Sequence, residues 1–173
     1  MRGFLNGIVF MLALLVGGGV AAVFAGAVPA GADVKPPAAE EWAAQKSLHA
    51  TIARDTQGLA NPVSVSDENF LAAIKSYGSN CAVCHGAADG KASTLAKGFY
   101  IKSPQLATDG VEDDPEATTF WKLKHGIRFT AMPSFGATLS DDDLWKLALF
   151  LKHMDKLPPT ADTAWKAIPS VGS

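Results

Sequence analysis

Residues 3–32 carry no charged side chain, and 4–28 are almost wholly apolar. A membrane-spanning helix needs about 20 such residues. The apolar centre of a cleaved signal peptide usually runs to roughly 7–15. The length of the run favours a retained anchor, while two cleavage-like triplets, Ala25-Gly26-Ala27 and Ala30-Gly31-Ala32, favour removal. Arg2 and the terminal amine precede the run, which predicts a cytoplasmic N-terminus and export of the remainder of the chain.

Beyond the run the pattern turns mixed. Pro29, Gly31, Pro36 and Pro37 deny residues 28–37 regular structure and mark a tether. Residues 38–54, rich in Ala, Glu, Gln and Lys, predict a helix with Glu40 and Glu41 in its first turn, where they complement the helix dipole. Its apolar members Trp42, Leu48 and Ile52 make an incomplete stripe, which leaves open whether it lies on the following domain or on a partner. Residues 56–66, with Gly58 and Pro62, read as a loop.

Ser66 is a good N-cap, and Phe70, Ile74 and Tyr77 recur at spacings of four and three, which predicts a helix running into Cys81. A middle helix is expected from Asp114-Pro115 to His125-Gly126. A last helix opens at Ser140 with Asp143 three residues on, similar to a capping box, and Asp141 and Asp142 complement its dipole. Its stripe is Leu144, Leu147, Ala148 and Leu151, and Pro158-Pro159 are expected to stop the chain beyond it. No alternating strand pattern occurs, so the predicted fold class is all-α. The expected parsing is an anchor or transmembrane helix over 1–28, a linker with a short helix over 29–65, a helical domain over 66–160 and a C-terminal tail over 161–173.

Composition adds exclusions. A net charge of −2 over 173 residues argues against nucleic-acid binding through a basic surface. Glu112, Asp113, Asp114 and Glu116 form an acidic cluster, followed by Lys122, Lys124 and Arg128 at nearly helical spacing. This is ordinary solvated surface or, if functional, a surface steering brief encounters with a redox partner. No Gly-rich phosphate loop, catalytic triad or paired-carboxylate site emerges, and no small-molecule substrate or enzymatic role is indicated.

The chain's only two cysteines stand in Cys81-Ala82-Val83-Cys84-His85, the attachment signature of a c-type haem. Each thiol must bond one haem vinyl carbon, and one helical turn sets both sulfurs along one porphyrin edge. The next residue then stands beneath the macrocycle, where its imidazole reaches the iron. A redox disulfide would sit between a strand and a helix, and no strand-like run precedes Cys81. A zinc site would need a second Cys or His pair, which is missing. One site therefore implies one covalent haem c, held through Cys81 and Cys84.

The helix ending in Tyr77, Cys81-Ala82-Val83-Cys84-His85-Gly86, Ser103-Pro104-Gln105-Leu106, His125-Gly126-Ile127, Ala131-Met132-Pro133-Ser134-Phe135-Gly136 and the helix from Ser140 succeed one another in order over about 67–157. In these the chain resembles class I cytochromes c, in particular the membrane-anchored single-haem kind of proteobacterial respiratory chains. The resemblance implies an all-α class I cytochrome c fold around one covalent haem, with its first and last helices crossing, preceded here by a transmembrane helix and linker. Alanine stands where family members often carry glycine at that crossing.

His85 needs a partner across the haem plane, and Met132, Met154, His125, His153 and His49 are the candidates. Pro133 holds the chain after Met132 extended, so its side chain can reach iron from a loop. The family match singles out Met132, with His125 as runner-up. A Met ligand favours ferrous iron and fills the sixth position. The resemblance further implies that the Pro104 carbonyl accepts from the other ring nitrogen of His85 and that Leu106 packs beside the ring. Tyr100, Trp121 and Arg128 are candidates for the haem propionates.

The expected function is one-electron transfer by a His/Met-ligated haem in a respiratory or periplasmic chain, between a redox protein donor and acceptor. The carrier would be single-pass in the inner membrane with its haem domain in the periplasm. The alternatives are a haem subunit of a dehydrogenase or oxidase complex, and a haem enzyme or sensor with an open sixth site. A haem-free thiol or zinc module is a third class.

Overall fold

The structure, a computed structural model, describes residues 2–170 in two units, Met1–Val34 and Lys35–Ser173. In the first, α1 (Arg2–Phe24) has no buried residue. Its 23 residues reach about 35 Å at helical rise, enough for a hydrocarbon core of about 30 Å. It is a candidate membrane span by length and composition. The helix ends as a Schellman motif: Ala27 N donates to Ala22 O, Gly26 N to Val23 O, and Gly26 takes φ +68°. The triplet Ala25-Gly26-Ala27 is thus the structural stop of the helix.

The second unit holds α2 (Ala38–Asp55), α3 (Asp67–Asn80), α4 (Ala82–His85), α5 (Thr94–Lys97), α6 (Glu116–His125), α7 (Asp141–Lys152) and α8 (Pro159–Lys166). Short 3₁₀ turns occur at Val111–Asp113 and Phe135–Ala137. There is no strand among the described residues, and the fold is all-α as expected.

The caps act where the sequence placed them. Ser66 Oγ accepts from Asn69 N at 3.2 Å. Ser140 Oγ accepts from Asp143 N at 3.2 Å and donates to the Asp143 carboxylate at 2.6 Å. The Asp143 side chain therefore returns to the cap hydroxyl, not to the cap N–H of a full capping box. The largest interface is α3 on α7, followed by α6 on α7. Phe70, Ala73, Ile74 and Tyr77 of α3 meet Leu144, Trp145 and the unbroken buried run 147–151 of α7. Ala73 and Ala148 are 1% and 0% exposed, small residues inside the packing of the two helices.

Two sequence readings are refined. The C-terminal half of α2 lies on the domain: Ile52 is buried and α2 packs on α6, while residues 38–47 remain exposed. Of the expected tail over 161–173, residues 171–173 lie outside the described residues and 161–166 are helical. Pro158-Pro159 do not end the structure; Pro159 sits in the first turn of α8, where its missing N–H is harmless. Ala161 and Trp165, 0% and 5% exposed, belong to the core, and α8 packs on α3. The domain therefore extends past 160.

Trp165→Ala should cost about 3–5 kcal/mol, the usual range for emptying a buried aromatic site. Chemical denaturation of the haem-loaded protein measures it, and a loss below about 1 kcal/mol would exclude α8 from the cooperative core.

Candidate functional site

The ladder of α3 continues into the cysteine turn. Cys81 N donates to Tyr77 O at 2.8 Å, and Cys84 N and His85 N both donate to Cys81 O, at 3.0 and 2.9 Å. The two cysteines are free thiols three positions apart on this turn, Cys81 buried and Cys84 half-buried. Burial, and then the neighbouring Cys84, push the Cys81 thiol up to about 12. Burial raises Cys84 as well. Both are therefore protonated at neutral pH, the opposite of the lowered pKa that a redox dithiol displays.

Beneath this turn, His85 Nδ1 lies 2.9 Å from Pro104 O. A carbonyl only accepts, so Nδ1 carries the proton and Nε2 keeps its lone pair. Burial lowers the His85 pKa, partly opposed by the Pro104 contact, and holds the ring in its neutral, coordinating form. Leu106 is half-buried against the core. Gly86 comes next at φ +75°, ψ 178°, and a Cβ there would stand 2.5 Å from Gln105 Oε1 and 2.7 Å from Lys91 O. Only glycine fits so close an approach. Buried Ser93 donates to Val83 O and accepts from Ala96 N, joining the turn to α5.

Met132 arrives from α6 by a loop that turns on Gly126, at φ +67°, ψ −172°. A Cβ at Gly126 would meet Pro133 C, Ser134 N and Met132 O at 2.6–2.8 Å. Ile127 N donates to Met132 O at 3.2 Å, Met132 N to Thr130 Oγ1 at 3.1 Å, and Ser134 Oγ to Lys124 O at 2.7 Å. Met132 is half-buried on the core cluster that contains Cys81. The other ligand candidates are engaged differently. His153 Nδ1 donates to Leu149 O at 2.9 Å and its ring meets the edge of Phe70. Met154 packs on the core, His125 lies exposed against the Trp121 ring, and His49 is exposed on α2.

Two of the propionate candidates make side-chain hydrogen bonds to α2. Tyr100 Oη donates to Glu40 Oε1 at 3.0 Å, and Trp121 Nε1 to Asp55 Oδ2 at 3.2 Å. Glu40 and Asp55 stand on the order of 22 Å apart along α2, so these donors face opposite ends of that helix. Arg128 is exposed on the loop before Met132.

Residues 68–151, slightly less than half of the chain, match the family model of cytochrome c oxidase, cbb3-type, subunit III. The match supports a class I c-type cytochrome domain over this segment. Comparison with curated proteins and with solved structures gave no match. A cytochrome c domain implies haem c and haem-based electron transfer. The residues present fit that group. Two free thiols share one turn, an imidazole offers Nε2, a thioether rests on the same core, and two glycines keep the flanking backbone free of side chains. In the second unit, α2 and α8 lie outside the matched segment.

Around the cytochrome domain, the cationic stripe is internally paired: Lys122 with Asp114 at 2.6 Å and Lys124 with Asp141 at 2.7 Å. A cavity of about 450 Å³ opens among Asp55, Leu59, Phe120, Trp121, His125 and Trp145, and none of Cys81, Cys84, His85 or Met132 lines it. Sequence reasoning missed Tyr77, whose hydroxyl donates to Gly86 O at 2.9 Å, and the Gly126 turn. The glycine was visible as the residue closing a helix beside the Met132 loop. The tyrosine was visible only as one apolar position among three.

Gly126→Ala should destabilise the cytochrome domain by about 1–3 kcal/mol through its strained backbone and weaken the far-red sulfur-to-iron band of the oxidised, haem-loaded protein. An unchanged band would free Met132 from the Gly126 turn.

Proposed function

We propose that the chain is a membrane-tethered electron carrier with one haem c joined to Cys81 and Cys84 and held axially by His85 and Met132. The observation that carries this reading is the Pro104 contact on His85 Nδ1, which leaves Nε2 free on the turn that bears both thiols. When bound, the haem supplies a one-electron couple. The chain's part is to orient and to exclude. Pro104 holds the imidazole at Nδ1 and raises its basicity. Met132, brought in by the Gly126 turn, would hold the iron together with His85 and so leave no place for oxygen or peroxide to bind. Tyr100, Trp121 and Arg128, the last exposed beside that loop, are the candidates to pair with a propionate.

The α1 helix anchors the protein in the inner membrane, single-pass, with the haem domain in the periplasm, where redox protein partners donate and accept the electron. A second reading is favoured by the family match, whose description is that of an oxidase subunit. In it, the same site serves as a fixed haem subunit of an oxidase complex and passes its electron inside the assembly.

The oxidised spectrum of the haem-loaded wild type should show a weak far-red band that Met132→Ala abolishes. The reduced wild type should bind carbon monoxide slowly and the variant rapidly. Rapid binding by the wild type would instead support an open sixth site. After solubilisation in detergent, the carrier should purify alone, whereas a fixed subunit would bring oxidase components with it. Carbonate washing should leave the haem with the membrane, and its release would refute the anchor.

A further inference from the structure

The C-terminal segment, outside the matched 68–151, reaches back to the peptide just beyond His85 at two separate points. The first runs through the core. Tyr77 is fully buried, and its hydroxyl donates to Gly86 O at 2.9 Å and lies 3.5 Å from His85 O. A buried hydroxyl without a partner is costly, so ring and carbonyl are held as a unit. The ring's place is set by Trp165 of α8, edge-on at 5.1 Å, and by Phe150 at 5.7 Å. Trp165 and Phe150 in turn meet edge-on at 5.4 Å, which closes a triangle of three rings.

The second point lies on the surface. Ser170 Oγ donates to Asp89 Oδ2 at 2.6 Å, and Asp89 Oδ1 accepts from Lys91 N at 3.2 Å. The Lys91 carbonyl oxygen is the one that lies 2.7 Å from where a Cβ of Gly86 would stand. Between the two points, Ile168 packs over Gly78 of α3, its Cδ1 3.6 Å from where a Cβ would stand.

We infer that Tyr77, Trp165 and Ser170 are positioning residues for His85, and that residues 159–170 form a rear clamp on the 86–91 loop. The inference rests on the reading of His85 as an axial ligand. The imidazole then has two independent anchors. Pro104 holds its ring at Nδ1, and the clamp holds its backbone one residue downstream. Neither anchor alone fixes the ring plane, because a ring can rotate about its side-chain bonds and a backbone can tilt beneath it.

The test uses the full haem-loaded chain with Tyr77→Phe, Ser170→Ala and Trp165→Phe, each of which preserves the bulk of the packing. Hyperfine-shifted haem-methyl resonances of the oxidised protein report the orientation of the axial ligand planes. Tyr77→Phe and Ser170→Ala should each redistribute these resonances while the far-red band persists, and the double variant should move them further. Trp165→Phe, which keeps an aromatic ring, should move them least. A lowered unfolding midpoint with the wild-type resonance pattern in every variant would make the segment a structural support only and overturn the clamp. Absence of any hyperfine-shifted methyl set in the wild type would instead remove the haem reading, and the clamp with it.

Discussion

A four-residue turn cannot hold itself. Helix nucleation fixes several dihedrals for one hydrogen bond, so an isolated turn of this length is unstable in water. Yet α4 and its N-cap Cys81 carry two sulfurs and an imidazole on one turn. The surroundings supply what the turn lacks. The last bond of α3 fixes Cys81 at its start, Ser93 holds the carbonyl of its second residue, Pro104 holds the ring at its end, and Tyr77 holds the peptide just beyond. Much of the domain can be understood as support for four residues.

The two glycines on either side of the site share one logic. Gly86 and Gly126 both close a helix with φ near +70° and ψ near 180°, a region essentially closed to other residues. Each leaves its helix abruptly and lets a second backbone segment press against it, the 91 carbonyl in one case and the 132–134 stretch of loop in the other. The imidazole turn and the thioether loop are thereby carried on rigid bends instead of on flexible chain. A loop so constrained gives a side chain a definite direction, which a methionine with three rotatable bonds would otherwise lack.

The sequence was most legible where the determinants are local. Ser66 and Ser140 cap their helices because a hydroxyl three residues from an amide needs no tertiary help, and the periodicity of Phe70, Ile74 and Tyr77 faces the core as expected. The cysteine turn was visible because its chemistry requires a fixed spacing. Pro158-Pro159 misled because proline both stops and starts helices, and only the spacing of Ala161, Trp165 and Ile168 distinguishes the two. The contacts of Tyr100 with Glu40 and of Trp121 with Asp55 were not legible, because the partners lie 60 and 66 residues away in the chain, beyond any local pattern. The docking of α2 through Ile52 was equally hidden: one buried apolar side chain leaves no stripe.

The pairing of Lys122 with Asp114 and of Lys124 with Asp141 alters what an approaching molecule senses. Seen from beyond a Debye length of about 8 Å, each pair is a small dipole, not a charge. Its field fades faster with distance than that of a bare lysine. Recognition at this face then belongs to short range, to shape and desolvation, and collisions there are sorted after contact more than before it.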